Sequence, residues 1–223
     1  MKRIALLGMP NTGKSTLFNR ISGASARVGN WPGITVDLMS AKVLLGGHIA
    51  ELVDLPGIYD LHGFSEDEQV VRHFLANNPL DLAIVLLNSS QIDRQLSLLL
   101  QIKKLNIPMV LALNMSDEAK KAGISIDTDQ LAKSLNMPVL QISAKYGEGL
   151  PKALQAAATV LNQAQAGSDP ARISLALEED QKIQSYEYES LRIKYFGSLR
   201  SVFDQWKESY NSQIKVQIFS NSL

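Results

Sequence analysis

The sequence predicts an α/β fold: a mostly parallel six-stranded sheet with helices on both faces, followed by a small C-terminal helical segment. Three observations predict it. Short apolar runs alternate with helix-period segments from the N-terminus to about residue 165, the pattern of strand–helix–strand units. The run Leu82–Leu87 is apolar throughout, as a strand buried on both faces should be. Gly8-Met9-Pro10-Asn11-Thr12-Gly13-Lys14-Ser15 spells G-x-x-x-x-G-K-S between an apolar run and a helix-like segment, the setting in which such a loop wraps phosphates.

The elements follow in order. Arg3–Leu7 reads as the first strand and Lys14–Ser22 as the first helix. Arg27–Thr35 is rich in Gly, Asn and Pro and reads as a long loop. Val36–Leu45 and His48–Asp54 read as strands joined through Gly46-Gly47, a hairpin signal. Glu66–Ala76 reads as a helix with Ser65 as its N-cap. Asp93–Leu105 carries an apolar face and ends in Lys103 and Lys104, which suit a helix C-terminus. Met109–Leu113 and Val139–Ile142 read as the last two strands, with a short helix over Asp129–Leu135 between them. Leu150–Leu161 is an alanine-rich helix. Ala166–Pro170 reads as a linker, which divides the chain into a domain over 1–166 and a helical segment over 171–223. In that segment Leu191, Tyr195, Leu199, Val202, Phe203, Trp206 and Tyr210 keep 3- and 4-residue steps, a long amphipathic helix, and Ile214–Ile218 alternates like a strand.

Composition narrows the chemistry. Lys plus Arg equals Asp plus Glu at 22 each, so overall charge offers nothing to nucleic acid or an anionic membrane. Without cysteine, disulfides, thiolate metal sites and cysteine catalysis are excluded. No signal peptide is visible and no apolar run reaches 18 residues. The chain is expected to be soluble, by itself or as one piece of a membrane protein.

The motifs carry the chemistry. In the Gly8–Ser15 loop, Asn11, Thr12, Gly13 and the start of the helix at Thr16 would surround the phosphates with backbone N–H groups. Lys14 would reach the terminal phosphates and the Ser15 hydroxyl would ligate Mg²⁺. Asp54-Leu55-Pro56-Gly57 ends a strand 39 residues after Ser15. Asp54 offers a carboxylate for the metal's surroundings, and the Gly57 N–H can approach a γ-phosphate. Asn114-Met115-Ser116-Asp117 closes the apolar strand Met109–Leu113. Asp117 can accept the N1–H and 2-amino donors of guanine; adenine lacks that pair and would leave the carboxylate unpaired. Ser143-Ala144-Lys145 closes the strand after that and can give a backbone N–H to the guanine O6.

Taken together, these fragments match the guanine-nucleotide motifs of translation-factor-like P-loop GTPases over about residues 1–165. Within that superfamily Arg27–Val36, the Met115 of Asn114-Met115-Ser116-Asp117, and Ser65-Glu66-Asp67-Glu68-Gln69 resemble the FeoB ferrous-iron transporter family, specifically its cytosolic N-terminal GTPase domain. The resemblance implies a GTP-binding, GTP-hydrolysing switch that regulates ferrous-iron uptake. It works at the cytoplasmic face of a bacterial inner membrane, through a transmembrane domain of the same polypeptide that this chain does not contain. It implies that Thr35 is the switch threonine that joins Mg²⁺ when the γ-phosphate is present. It also implies a K⁺ held by Asn11 and by carbonyls near Gly29 and Trp31. That cation would stand in for the glutamine that many GTPases carry after D-x-x-G, where this chain has Ile58. Catalysis would then rest on Lys14, Thr35, Gly57 and Asn11. By the same resemblance residues 171–223 stand where a helical domain damps GDP release, although they are short for it. The residues leave open a free-standing GTPase of ribosome assembly or tRNA modification, a dual-specificity NTPase, and homo-oligomerisation; no nucleic-acid partner is expected.

Overall fold

The computed structural model describes residues 1–182 apart from 30, 32, 33, 35, 165 and 166. The expectations for Thr35, for the amphipathic helix over 191–210 and for the strand over 214–218 lie outside the described residues.

Seven strands form one sheet in the order β2-β3-β4-β1-β5-β6-β7. They are β1 (Lys2–Gly8), β2 (Ala26–Gly29), β3 (Leu38–Leu45), β4 (His48–Asp54), β5 (Leu82–Asn88), β6 (Met109–Asn114) and β7 (Val139–Gln141). β1 pairs in parallel with β4 and β5, and β5-β6-β7 continue parallel. β3 runs antiparallel to both β4 and β2. The α-helices among the described residues are α1 (Lys14–Ser22), α2 (Glu66–Asn77), α3 (Ile92–Lys104), α4 (Ser116–Lys121), α5 (Thr128–Leu135), α6 (Leu150–Gln163) and α7 (Pro170–Lys182).

The period of two in the central strands divides the interior into two cores. Ala83, Val85 and Leu87 of β5 face α2, α3 and α5. Leu82, Ile84 and Leu86 face Leu17 and Phe18 of α1 and Ala153, Ala157 and Leu161 of α6. This is why Leu82–Leu87 contains no polar residue. The sheet has one strand more than the six expected. β2 falls inside the segment expected to be loop. It is an edge strand with Arg27 and Val28 both exposed, so no buried alternation marks it in the sequence. α4 was also unannounced, because its residues carry the Asn114–Asp117 motif into a helix too short for a visible period.

The segment expected to be a linker is fastened to the sheet. Ser168 N donates to the Leu80 carbonyl at 2.6 Å, and Leu80 N donates to Ser168 Oγ at 2.8 Å. α7 then packs on α2, with Ile173 and Leu177 buried in the α2-side core. Among the described residues no helix is long and apolar enough to cross a membrane.

Candidate nucleotide-binding site

The C-terminal ends of the parallel strands meet at one edge. Leu6 of β1 lies opposite Asp54 of β4, Gly8 opposite Leu86 of β5, and Asn88 of β5 opposite Asn114 of β6. Ligands of open α/β sheets bind at that edge.

The loop from Gly8 to Ser15 turns through Asn11, exposed at φ 61°, and Gly13, at φ 87°. Thr12 Oγ1 donates to the Met9 carbonyl at 2.9 Å and closes the loop on itself. α1 starts without a side-chain cap, which leaves its first N–H groups to an anion. Lys14 is buried, and its Nζ donates to the Gly8 and Met9 carbonyls at 3.3 and 3.1 Å. Burial lowers the Lys14 pKa, while the charges of Asp54 and Asp67 oppose the shift. A cation held against loop carbonyls in a desolvated place gains from phosphate oxygens arriving there. Thr16, the third residue of α1, is exposed.

Ser15 Oγ donates to Asp54 Oδ2 at 2.9 Å. Asp54 Oδ1 is buried with no hydrogen-bond partner, and burial raises the carboxyl pKa against the Ser15 bond and the Lys14 charge. A hydroxyl and a carboxylate with one orphaned oxygen form a hard-oxygen donor pair of the kind Mg²⁺ takes. Gly57 passes directly against Pro10 of the loop; a Cβ there would stand 2.7 Å from Pro10 Cα. Ile58 N donates to the Gly8 carbonyl at 3.3 Å, and the Ile58 side chain is buried in the α2-side core, turned inward.

Asn114, the last residue of β6, is 3% exposed and joins two loops. Its Nδ2 donates to the Thr12 carbonyl at 2.8 Å, and its Oδ1 accepts from Ala144 N at 2.8 Å. Met115 takes φ 59°, and its Sδ accepts from Asn88 Nδ2 at 3.1 Å. Asp117 is half-buried in the first turn of α4. The Ser143 hydroxyl beside it holds its carboxyl below the ordinary range, although Ser143 Oγ meets no partner in hydrogen-bonding geometry. The Ala144 N–H, one of those expected to serve the base, is therefore engaged by Asn114. Lys145 lies over the Tyr146 ring, whose hydroxyl raises its pKa.

Gly8, Asn11–Thr16, Asp54, Gly57, Asn114–Asp117 and Ser143–Lys145 are thus brought to one edge. Gly29 ends β2 opposite Leu38. Trp31 is directed elsewhere: its ring meets Phe74 of α2 edge-on at 4.9 Å and lies under the Arg3 guanidinium at 5.0 Å. Arg3 is five residues before Gly8 on β1, about 16 Å at the usual rise of a strand. The Trp31 carbonyl accepts the Ile34 N–H at 3.0 Å.

Sequence reasoning missed Arg20, Asn88 and Gln101. Arg20 Nε donates to the Ala144 carbonyl and Nη2 to the Lys145 carbonyl. Gln101 of α3 accepts from Leu61 N at 2.8 Å and donates to Asp60 Oδ1 at 3.0 Å. Arg20 and Gln101 meet backbone atoms far along the chain, and Asn88 meets the Met115 sulfur 27 residues on, so no local spacing signals them. Glu68 had a signal, the S-x-x-E of a capping box, and both halves form: Ser65 Oγ accepts from Glu68 N, and Glu68 Oε2 accepts from Ser65 N.

A phosphate loop on β1, an acidic strand end on β4 and an Asn-x-x-Asp strand end on β6 define a P-loop GTPase-like α/β protein. Residues 2–157 match the FeoB_N family, Ferrous iron transport protein B, and the chain belongs to that family. The Fe(2+) transporter FeoB of Synechocystis sp. is 56% identical over 155 residues, covering 70% of this chain and 25% of that protein. The chain thus spans a quarter of the length of that curated relative. The cytosolic domain of L. pneumophila FeoB superposes with TM-score 0.68 at 35% identity, covering 88% of this chain and 79% of that one. An S. thermophilus NFeoB mutant bound to GDP gives TM-score 0.71 at 27% identity, covering 96% and 95%.

Proposed function

We propose that this chain is the guanine-nucleotide switch of a ferrous-iron transporter. It binds GTP, hydrolyses it to GDP and phosphate, and regulates iron uptake through a membrane-embedded domain of the same polypeptide at the cytoplasmic face of a bacterial inner membrane. The observation that carries the reading is the meeting of four strand-end segments at one edge, with Asn114 bonded to both the phosphate loop and the Ser143–Lys145 loop. The GDP bound to the S. thermophilus relative supports the same ligand class.

In this reading Lys14 and the free N–H groups of α1 bind the phosphates. Asp117 reads the N1–H and 2-amino edge of guanine, and the Ser143–Lys145 backbone reads the O6. Gly57 places its N–H beside the γ-phosphate. Ser15 and Asp54, joined by Thr35, would hold Mg²⁺; Asn11 would hold K⁺, joined by the carbonyls of Gly29 and Trp31 only once Trp31 leaves its place against Phe74 and Arg3. These cations supply positive charge against the charge that develops on the phosphates. Because Ile58 is buried, backbone groups rather than a side chain orient the attacking water. Residues 171–223, of which α7 is the described part, modulate GDP release.

GTP turnover measured in K⁺ and in Na⁺ tests this. Turnover is expected to be faster in K⁺, with the advantage lost in Asn11→Ala while GDP affinity is retained. Equal rates in the two salts would remove the K⁺ assignment, and no GDP binding in the presence of Mg²⁺ would remove the switch.

A further inference from the structure

Arg20 lies on α1, five residues past Ser15. Its Nε donates to the Ala144 carbonyl at 2.6 Å and its Nη2 to the Lys145 carbonyl at 2.5 Å. Two N–H groups of one planar guanidinium thus grip two consecutive carbonyls, a match of shape that lysine cannot make. Gly147 lies against the same group: a Cβ there would stand 3.0 Å from Arg20 Nη1. On the other side of the loop Asn114 Oδ1 accepts the Ala144 N–H at 2.8 Å. Residue 144 is therefore held at both its backbone polar groups, by β6 through its N–H and by α1 through its C=O.

Core packing does not account for this arrangement. Arg20 is exposed, and the apolar contacts of α1 are made by Leu17 and Phe18. A charged side chain that stays in water yet bonds two backbone carbonyls 124 and 125 residues away fixes the position of a loop, and this loop is the one that faces the base in the reading proposed above.

We propose that Arg20 is a positioning residue for base recognition. It fastens the Ser143–Lys145 loop to the helix that holds the phosphates, so that the Lys145 N–H, the one of the three not donated to Glu148 or Asn114, meets the 6-oxo group of guanine. The inference rests on the guanine-nucleotide reading above. Contact with the 6-oxo group depends on where the loop backbone sits. Contact with the N1–H and 2-amino groups depends on Asp117, which Arg20 does not touch. Loss of Arg20 should therefore impair recognition of one edge of the base and spare the other.

The test is calorimetry on the full chain with Mg²⁺ and three diphosphates: GDP, inosine diphosphate, which lacks the 2-amino group, and 2-aminopurine riboside diphosphate, which lacks the 6-oxo group and with it the N1–H; the lost N1–H contact to Asp117 is common to wild type and variant and cancels when the two are compared. Wild type should prefer GDP over both analogues. In Arg20→Ala the preference for GDP over the 6-deoxo analogue should fall on the order of tenfold, the scale of one good hydrogen bond. The preference over inosine diphosphate should stay unchanged, and GDP should dissociate on the order of tenfold faster. Arg20→Lys, which can keep one of the two bonds, should lie between. Equal weakening of all three ligands, or none, in a variant that melts like wild type would overturn the role. If wild type itself failed to bind GDP, or did not distinguish it from the 6-deoxo analogue, the guanine reading would fall first and this inference with it.

Discussion

The loops at the nucleotide edge are fixed in two different ways. The phosphate loop and the base loop are tied to each other and to the sheet. Asn114 bonds Thr12 across 102 residues and Ala144 across 30, and Arg20 bonds Ala144 and Lys145 from α1. The loop from Leu55 to Ser65 begins on β1, where Leu55 N and Ile58 N donate to the Leu6 and Gly8 carbonyls, but from Asp60 onward it is tied outward, to the helices behind it. Gln101 of α3 holds Asp60 and Leu61, Glu68 of α2 accepts from Asp60 N and Ser65 N, and Arg72 donates to the Leu61 and Gly63 carbonyls. Tyr59 and Phe64 remain 65% and 84% exposed on it. The first region is cross-braced by its own side chains. The second is a unit latched to α2 and α3, so a change at Gly57 would be passed to those helices. A switch needs both: a rigid receptor for the parts of the nucleotide that do not change, and a fastened but movable loop for the phosphate that does.

The largest expected effect comes from breaking the first region at its centre. Asn114→Ala removes the partners of the Thr12 carbonyl and the Ala144 N–H together, in a place where water does not replace them readily. Leaving buried polar groups unpaired costs about 1–3 kcal/mol each. GDP affinity should therefore drop on the order of 100-fold or more, with a lower melting temperature. Calorimetry and thermal unfolding read both. A variant that bound GDP as tightly as wild type would show that the two loops are held in place by something other than this side chain.

How much of this was legible beforehand follows the same division. The phosphate loop, Asp54, Gly57 and the Asn114–Asp117 segment could be read because their chemistry lies in contiguous residues at strand ends. Leu82–Leu87 could be read because a strand covered on both faces must be apolar throughout. β2 could not, since an edge strand with two exposed residues has no burial pattern. Nor could the packing of Ser168 and Ile173, since a Gly-Ser-Asp-Pro stretch spells a turn wherever it sits, and only the tertiary partner Leu80 makes it part of the core edge. Arg20 and Gln101 were invisible for the same reason: their partners are distant backbone atoms, and one sequence does not state distances. The direction of Trp31 depends on Phe74 and Arg3, which come together only when α2 is laid on β1.

A smaller effect should separate the two regions. Gln101→Ala releases Leu61 N–H and Asp60 from α3 while touching nothing near the base. Stability should fall by about 1–2 kcal/mol. GDP affinity should be unchanged, and GTP turnover should fall several-fold because Gly57 is less well placed. If GDP affinity fell as much as turnover, the outward-tied loop would not be energetically distinct from the receptor.

The smallest effect, and the one with a pH signature, is expected at Glu68. Burial pushes its carboxyl pKa up. The Ser65 hydroxyl and N–H, the Asp60 N–H and the Arg72 charge together outweigh that, so the folded value lies below the ordinary one. A carboxyl whose pKa is depressed by folding stabilises the fold above its unfolded pKa, about 4.3, and loses that contribution as pH falls through the folded value. Glu68→Gln keeps an acceptor for the Ser65 N–H and removes the charge. Wild type should therefore exceed the variant by about 0.5–1.5 kcal/mol near neutral pH. The gap should close as pH drops below about 4. Urea unfolding at a series of pH values measures it. A gap that stayed constant into strong acid would mean that α2 is capped by hydrogen-bond geometry alone and that the charge on Glu68 contributes nothing to holding the Leu55–Ser65 loop.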